Sequence, residues 1–335
     1  MSPRVAPRTG RVSFIGVTTG SSAIMSVFPR WARLLALGDV VMTGYDLPLH
    51  AEPRRYREVV AAIRSDPVEL GGLVTTHKID LFRACRDMFD YVDPYATLCG
   101  EVSCLSKRDG RFRAHAKDPV ASGRALDELV RPRHWQETGA EALLLGAGGA
   151  NLAISLHLLT VRPRDDRPQR ILVIDRDPAR LEALRAVHDR LKPDIKVAYF
   201  CSTEPRQNDL LLTGLPPGSL VVNGTGMGKD TPGSPISDEA LFPKDALVWE
   251  LNYRGELDFL HQAHRQRKAR GLTISDGWRY FIYGWAGVIE EIFNLKMEAH
   301  QVRQLAETAL KFRNDPDSDR RARQDDGAGG PLKEG

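Results

Sequence analysis

Short apolar runs alternate with amphipathic segments along most of the chain. The apolar runs predict strands at 12–17, 72–75, 143–145, 170–175, 196–200, 219–223, 247–251 and 272–274. Apolar residues at helical spacing predict helices at 29–37, 55–65, 79–92 and from 280 to about 312, the first with Pro29 at its first position. Strands that alternate with helices indicate parallel sheets covered by helices on both faces, which is an α/β fold.

A glycine-rich turn follows one of these strands. Three leucines at 143–145 precede the turn, and an apolar run at 152–156 opens a helix after it. Glycines allow a tight turn and a close approach of the backbone to a diphosphate, which the N–H groups of the helix would bind. The predicted diphosphate-binding residues are Gly146, Gly148, Gly149 and Ala150. The alternative is a structural turn of the same kind that holds no ligand.

The next strand ends in a carboxylate, Asp175, which is followed by Arg176. Asp175 lies 27 positions after Gly148 (175 − 148). The usual spacing is about 20, and a polar insert at 162–169 accounts for the difference. An acidic side chain here accepts hydrogen bonds from the adenosine-ribose hydroxyls and repels a 2′-phosphate. The sequence therefore predicts a dinucleotide site that takes NAD, with NADP the less favoured cofactor.

Composition excludes several classes of partner. The chain has 335 residues, enough for two domains, and a formal net charge of +3, too small to indicate a nucleic-acid or membrane partner. No apolar run approaches the roughly 20 residues that span a bilayer, and the N-terminus lacks a secretory segment. We expect disordered tails at 1–10 and 314–335.

The four cysteines show no zinc-type spacing, and no metal site is expected. Buried thiols in a reducing cytoplasm fit best, Cys85 on an apolar helix face and Cys201 at a strand end. The full set is Cys85, Cys99, Cys104 and Cys201.

A lysine occupies a position that an apolar residue would be expected to fill. The stripe on the predicted helix at 79–92 consists of Phe82, Cys85, Phe89 and Val92. One turn earlier the stripe meets Lys78, and lysine is rarely buried without a partner. A helix N-terminus also disfavours the charged ammonium, which suits proton transfer. The alternative is a lysine that packs its stem on apolar surface and keeps its amine in water.

Asp118 is placed like a helix-entry residue, because it precedes Pro119 and a helical run at 125–130. Local sequence alone favours a capping role. Paired with Lys78 across a cleft between two domains, Asp118 would complete a proton-handling pair.

Six motifs in order resemble those of the shikimate/quinate dehydrogenase family. They begin at Gly72, Lys117, Gly146, Val222, Glu250 and Asp276. The resemblance covers about 12–312 and implies a two-domain α/β fold. An N-terminal catalytic domain at 11–130 is completed by C-terminal helices at 278–313, and a Rossmann NAD(P)-binding domain spans 131–277. The implied chemistry is reversible hydride transfer between nicotinamide and a ring-hydroxyl carbon.

The resemblance also implies roles for individual residues. Lys78 matches a catalytic lysine that shuttles the hydroxyl proton, and Asp118 matches the aspartate that orients and charges it. Residues at substrate-binding positions are Ser22, Thr75, Ser103 and Tyr253. Residues that match the loops on the nicotinamide side are Asn223, Thr225, Gly226, Met227 and Gly277.

The chain departs from the family pattern at several substrate positions. A second serine is replaced by Ile24, an asparagine by Ser103, a threonine by Val74 and a glutamine by Gly284. These losses imply a different polyol or cyclitol-like substrate. His50, His77, His115 and Tyr283 are further candidates for its pocket, although an ordinary surface or packing role is favoured for each.

The leading hypothesis is thus an NAD-dependent alcohol dehydrogenase. The alternatives are a shikimate dehydrogenase proper that uses NADP, and a non-catalytic dinucleotide-sensing protein. The oligomeric state is open, and a homodimer is one state that the sequence allows.

Overall fold

A computed structural model describes residues 8–229 and 231–313, which group into two compact units. Strands in chain order are β1 Arg8–Gly16, β2 Gly38–Asp46, β3 Glu69–Val74, β4 Tyr91–Val92, β5 Cys104–Arg108, β6 Arg111–His115, β7 Ala142–Leu145, β8 Arg170–Asp175, β9 Lys196–Cys201, β10 Leu220–Asn223, β11 Leu247–Glu250 and β12 Thr273–Ser275. Helices are α1 Ala23–Leu34, α2 Pro53–Ser65, α3 Lys78–Cys85, α4 Pro94–Cys99, α5 Asp118–Leu129, α6 His134–Thr138, α7 Gly149–Leu156, α8 Pro178–Leu191, α9 Pro205–Thr213, α10 Asp258–Arg270, α11 Trp278–Phe293 and α12 Ala299–Arg313.

The first unit runs to Lys117 and resumes at Trp285. Its sheet has the strand order β2-β1-β3-β5-β6-β4. Strand β1 pairs in parallel with β2 and β3, whereas β5 pairs antiparallel with β3 and β6. This sheet is therefore mixed: the β1–β2, β1–β3 and β4–β6 pairs are parallel, as predicted, and the two pairs that β5 makes are antiparallel. A tight turn explains the difference, because Asp109 and Gly110 both have positive φ and join β5 to β6 as a hairpin.

The second unit spans Asp118–Gly284 and contains a sheet of order β12-β11-β10-β7-β8-β9. Each recorded pairing in it is parallel, as predicted. Strands β7, β10 and β11 are buried along their length, which explains their unbroken apolar sequences. The sequence predicts that the catalytic domain extends to residue 130, but helix α5 packs on α7 and groups with this unit.

Three predicted helices differ from those observed. Pro29 lies inside α1, because a buried stripe at Ile24, Val27, Phe28 and Trp31 extends the helix back to Ala23. The helix predicted at 79–92 ends at Cys85, where a 3₁₀ turn and the short strand β4 replace it. The single long helix predicted from 280 is divided into α11 and α12, and Asn294 has a positive φ of 52° at the break.

Two smaller expectations also change. Positions 8–10 belong to β1, where Arg8 to Gly10 pair with β2, and the remaining predicted tail positions fall outside the described residues. Cys85 and Cys104 are buried, but Cys201 is exposed because β9 is an edge strand. Across 8–229 and 231–313, none of the helices is long and apolar enough to cross a bilayer.

Candidate active site

The glycine turn of the second unit has the geometry that a dinucleotide needs. Gly146 follows β7 with φ +98°, and a Cβ there would lie 2.9 Å from the carbonyl oxygen of Gly224. Gly148 is the N-cap residue of α7, and a Cβ added to it would meet nothing within 4 Å among the described residues. Gly149 and Ala150 then form the first turn of the helix. Open space before backbone N–H groups is what a diphosphate requires.

Asp175 ends β8, beside that turn, and its side chain is buried. One carboxylate oxygen accepts the N–H of Ala147 at 2.6 Å and the other accepts the N–H of Asp177 at 2.9 Å. Each oxygen has two lone pairs, so both can accept a further hydrogen bond. Arg176 is exposed, and Asp177 caps α8 through Ala179. Two carboxylates, those of Asp175 and Asp177, thus lie at the end of β8.

The loop at 224–227 follows β10 and is fixed by its own hydrogen bonds. We call it the nicotinamide loop after the role that the sequence predicts for it. Asn223 Oδ1 accepts the N–H of Thr225 at 3.1 Å and its hydroxyl at 2.7 Å. The Thr225 hydroxyl in turn accepts the N–H of Met227 at 3.2 Å, and Gly226 has φ +79°. At Gly277 a Cβ would collide with the carbonyl oxygen of Leu251. The structure therefore brings these cofactor candidates together within one unit.

Lys78 is the first residue of α3, in the first unit. Its carbonyl oxygen accepts the N–H of Val102, and its side chain is partly buried. The preceding loop leaves β3 at Thr75, whose N–H is bonded to the carbonyl oxygen of Ile15. Lys78 therefore lies at the helix entry that the sequence indicated, although α3 is shorter than predicted.

Asp118 begins α5 and is partly buried. The residues before it are anchored within the first unit: Ser103 Oγ accepts the N–H of Lys117 at 2.7 Å, and Asp93 accepts the N–H of Ala116 at 3.2 Å. Ser103 is only 3% exposed and holds this loop, so the substrate contact implied for it stays a prediction. The pairing of Lys78 with Asp118 also stays a prediction.

The other two substrate candidates occupy different environments. Ser22 precedes α1 and is partly buried, while Ile24 is fully buried within that helix. Tyr253 packs against Trp278 and Phe281 at ring-centroid distances of 5.4 and 5.0 Å. Burial raises the pKa of the Tyr253 hydroxyl.

The four additional pocket candidates have ordinary polar partners within the protein. The sequence favours such a surface or packing role for each of them. His50 is exposed beside Asp80, and buried His77 is 3.2 Å from the Tyr56 hydroxyl. Tyr283 donates a hydrogen bond to Glu128 at 2.5 Å. His115 is buried in a charged cluster around Glu291, with its Nε2 3.2 Å from a carboxylate oxygen.

Two further residues, Glu250 and Asn151, support the predicted loops, although the sequence did not indicate either as a site residue. Glu250 is fully buried and accepts hydrogen bonds from Asn223 and Asn252, and burial raises its pKa to about 7. Asn151 donates to the carbonyl oxygens of Leu145 and Gly146. A polar residue inside an otherwise apolar helix turn was the available signal for Asn151. Glu250 lay within a matched motif, but nothing local indicated its partners.

A parallel sheet with a glycine turn and a neighbouring acidic strand end defines the second unit as a dinucleotide-binding domain of the Rossmann type. No protein-family model matches the chain. A shikimate dehydrogenase (NADP(+)) from Symbiobacterium thermophilum is 30% identical over 286 residues, which is 84% of this chain and 88% of the relative. The chain therefore belongs to the shikimate/quinate dehydrogenase family, and it is an NAD(P)-dependent oxidoreductase that acts on a CH–OH group.

Solved structures show the same fold. The quinate dehydrogenase of Corynebacterium glutamicum in complex with NAD is 22% identical, with a TM-score of 0.71 over 90% of this chain and 99% of that one. The shikimate 5-dehydrogenase of Listeria monocytogenes in complex with shikimate and NAD is 19% identical, with a TM-score of 0.70 over 91% and 99%. The predicted family and the α/β fold class are confirmed.

Proposed function

We propose that the protein transfers a hydride between NAD and a ring hydroxyl carbon of a shikimate-, quinate- or cyclitol-like substrate. The observation that carries the proposal is the position of Lys78 and Asp118. Each is the first residue of a helix, at the place where the family resemblance puts the catalytic pair. A non-catalytic dinucleotide sensor would have no use for either residue.

Lys78 handles the proton in this proposal. In the oxidative direction its Nζ takes the hydroxyl proton as the carbon–hydrogen bond breaks, and it returns that proton in the reductive direction. The α3 N-terminus disfavours a charged ammonium, so the amine is suited to accept and release a proton. Asp118 orients the amine and balances its charge when protonated. When bound, the nicotinamide accepts or supplies the hydride.

Residues of the second unit would hold the cofactor. The N–H groups of Gly149 and Ala150 face the open space before α7 and suit the diphosphate. The carboxylate of Asp175 retains lone pairs for the adenosine-ribose hydroxyls and repels a 2′-phosphate. These contacts support NAD over NADP.

The substrate differs from shikimate at its carboxylate contacts. The serine expected at position 24 is replaced by isoleucine, which has no hydroxyl to offer a ligand. The Ile24 side chain is also 0% exposed. The Ser103 hydroxyl already binds the N–H of Lys117. Each lost hydrogen bond to a charged group weakens binding by about 1.5–3 kcal/mol. A polyol that relies less on a carboxylate therefore fits this chain better.

A second candidate is a shikimate dehydrogenase that uses NADP, because the curated relatives bear that name. An assay of the purified protein with shikimate, quinate and a panel of cyclitols, each with NAD and with NADP, separates the two. Turnover of a cyclitol or quinate with NAD supports the proposal. Turnover of shikimate that prefers NADP supports the second candidate, and tight NAD binding without any turnover points to a sensor.

The catalytic assignment is tested by Lys78→Ala, with Lys107→Ala as its control. Lys107 is also partly buried in the first unit, where its amine donates to the carbonyl oxygen of Asp66. We expect kcat to fall about 10²–10⁴-fold in Lys78→Ala because a positioned proton carrier is lost. NADH affinity, measured by fluorescence titration, should not change. Normal turnover in Lys78→Ala would rule out its assigned role.

A further inference from the structure

A fully buried carboxylate, Glu250, lies at the end of β11 beside the nicotinamide loop. Its register partner on the neighbouring strand β10 is Asn223. One carboxylate oxygen accepts a hydrogen bond from the Asn223 side-chain Nδ2 at 2.6 Å. The other accepts one from the backbone N–H of Asn252 at 2.8 Å. Both oxygens therefore act as acceptors, toward two different segments of the chain.

Both segments lead to the nicotinamide loop. With its Nδ2 turned to Glu250, Asn223 presents Oδ1 to the backbone N–H and the hydroxyl of Thr225. The side-chain amide of Asn252 donates a hydrogen bond to the carbonyl oxygen of Met227 at 3.2 Å. Glu250 therefore orients the side chain of Asn223 and anchors the backbone of Asn252. These two asparagines hold the loop at Thr225 and at Met227.

The opposite side of the loop is equally confined. Asn151 donates to Leu145 and Gly146 in the glycine turn, and a Cβ at Gly224 would lie 2.7 Å from its Nδ2. The loop thus has little room to compensate if the tether from Glu250 is lost.

We propose that Glu250 is a positioning residue that sets the nicotinamide loop through Asn223 and Asn252. The inference depends on the proposed function, in which this loop holds the nicotinamide end of the cofactor. Glu250 does not touch the cofactor in this arrangement. It acts on affinity for the nicotinamide end alone, because the diphosphate and adenosine ends are bound by the glycine turn and Asp175.

That selectivity is the basis of the test. ADP-ribose carries the diphosphate and the adenosine but has no nicotinamide. Calorimetric titration of the full-length protein would compare the reduced cofactor that the wild type prefers with its matching fragment, ADP-ribose or 2′-phospho-ADP-ribose. The variant is Glu250→Gln, whose amide nitrogen would face one of the two N–H donors and break that hydrogen bond.

Above pH 7, where the Glu250 carboxylate is charged, we expect Glu250→Gln to weaken binding of the reduced cofactor about tenfold, the lower limit for a hydrogen bond to a charged group. The affinity for the fragment should stay within about twofold of the wild-type value, because sites that share no partners behave independently. The matched control is Glu141→Gln, at the other end of the sheet next to β7, where Glu141 is largely buried and binds Arg170 at 2.8 Å. Both ligands should bind normally to the control.

Unchanged cofactor affinity in Glu250→Gln would overturn the inference, and so would equal losses for cofactor and fragment. If Glu250→Gln does not fold, as judged by circular dichroism, Asn252→Ala removes the link to Met227 and should give the same selective loss. Normal cofactor binding in Asn252→Ala would then overturn it. A wild type that binds neither ligand would instead contradict the proposed function.

Discussion

Two glutamates, one in each unit, have opposite pKa shifts: Glu250 is fully buried, and Glu291 is partly buried. Glu291 on α11 lies 2.7 Å from the amine of Lys117 and 3.4 Å from Arg108. Burial alone would raise its pKa, but the hydrogen bond from Lys117 and the charges of His115, Lys117 and Arg108 outweigh burial and lower it. Glu250 has only amide partners, so burial dominates and raises its pKa to about 7.

The difference shows that a carboxylate shielded from water can favour either its charged or its neutral form. Cations within about 4 Å decide the outcome, because amide hydrogen bonds are too weak to repay the loss of hydration. The first unit is thus held together near Asp93 and Glu291 by charges. The loop supports of the second unit depend on amide hydrogen bonds around Glu250.

The largest expected effect is on pH dependence. An ordinary Glu has a pKa of 4.5, and Glu250 has about 7. The folded state therefore keeps a proton between those values that the unfolded chain has released. Stability from Glu250 should fall by about 3 kcal/mol as pH rises from 4.5 to 7, a change that Glu250→Gln should lack. Urea unfolding of both proteins at several pH values measures it. Parallel pH profiles would show that Glu250 is not the titrating group.

A smaller effect is expected from Lys117→Met. The variant leaves the carboxylate of Glu291 buried without its nearest cation, so we expect a loss of about 2 kcal/mol at pH 7. The lowered pKa of Glu291 makes its stabilisation present above about pH 4.5 and lost as pH falls through the folded value. The loss should therefore shrink in acid. A double-mutant cycle with Glu291→Gln checks the coupling, and additive losses would exclude it.

The smallest effects test whether uncharged hydrogen bonds behave alike in both units. Ser103 Oγ accepts the N–H of Lys117, and Ser219 Oγ accepts the N–H of Glu141. Each serine is buried, so Ser103→Ala and Ser219→Ala should each cost about 1–2 kcal/mol with little pH dependence. A marked pH dependence in Ser103→Ala alone would show that the charged cluster relies on this hydroxyl.

Local sequence was sufficient where the signal and the structure are both local. The leucines before Gly146 predicted β7, and the strand, turn and helix follow within a few residues. The positive φ at Gly146 explains why glycine is required there. The position of Asp175 at a strand end could also be predicted, since it closes an apolar run.

Local sequence failed where distant pairing decides. Phe89 and Val92 continue a helical stripe, but Tyr91 and Val92 pair with β6, so the helix stops at Cys85. Likewise, no local pattern indicates that the side-chain amide of Asn223 binds Glu250 and Thr225. Neither partner strand could be predicted from the spacing of apolar residues.

The sequence by itself determined the dinucleotide-binding turn, the acidic strand end and the family, because these depend on short segments with a fixed order. Only the tertiary structure decided which glutamate has a raised pKa and which a lowered one. Glu250 and Glu291 start from the same intrinsic acidity. The side chains that bind them, Asn223 for Glu250 and Lys117 for Glu291, come from elements far away along the chain. The environment that folding brings around each carboxylate sets its pKa.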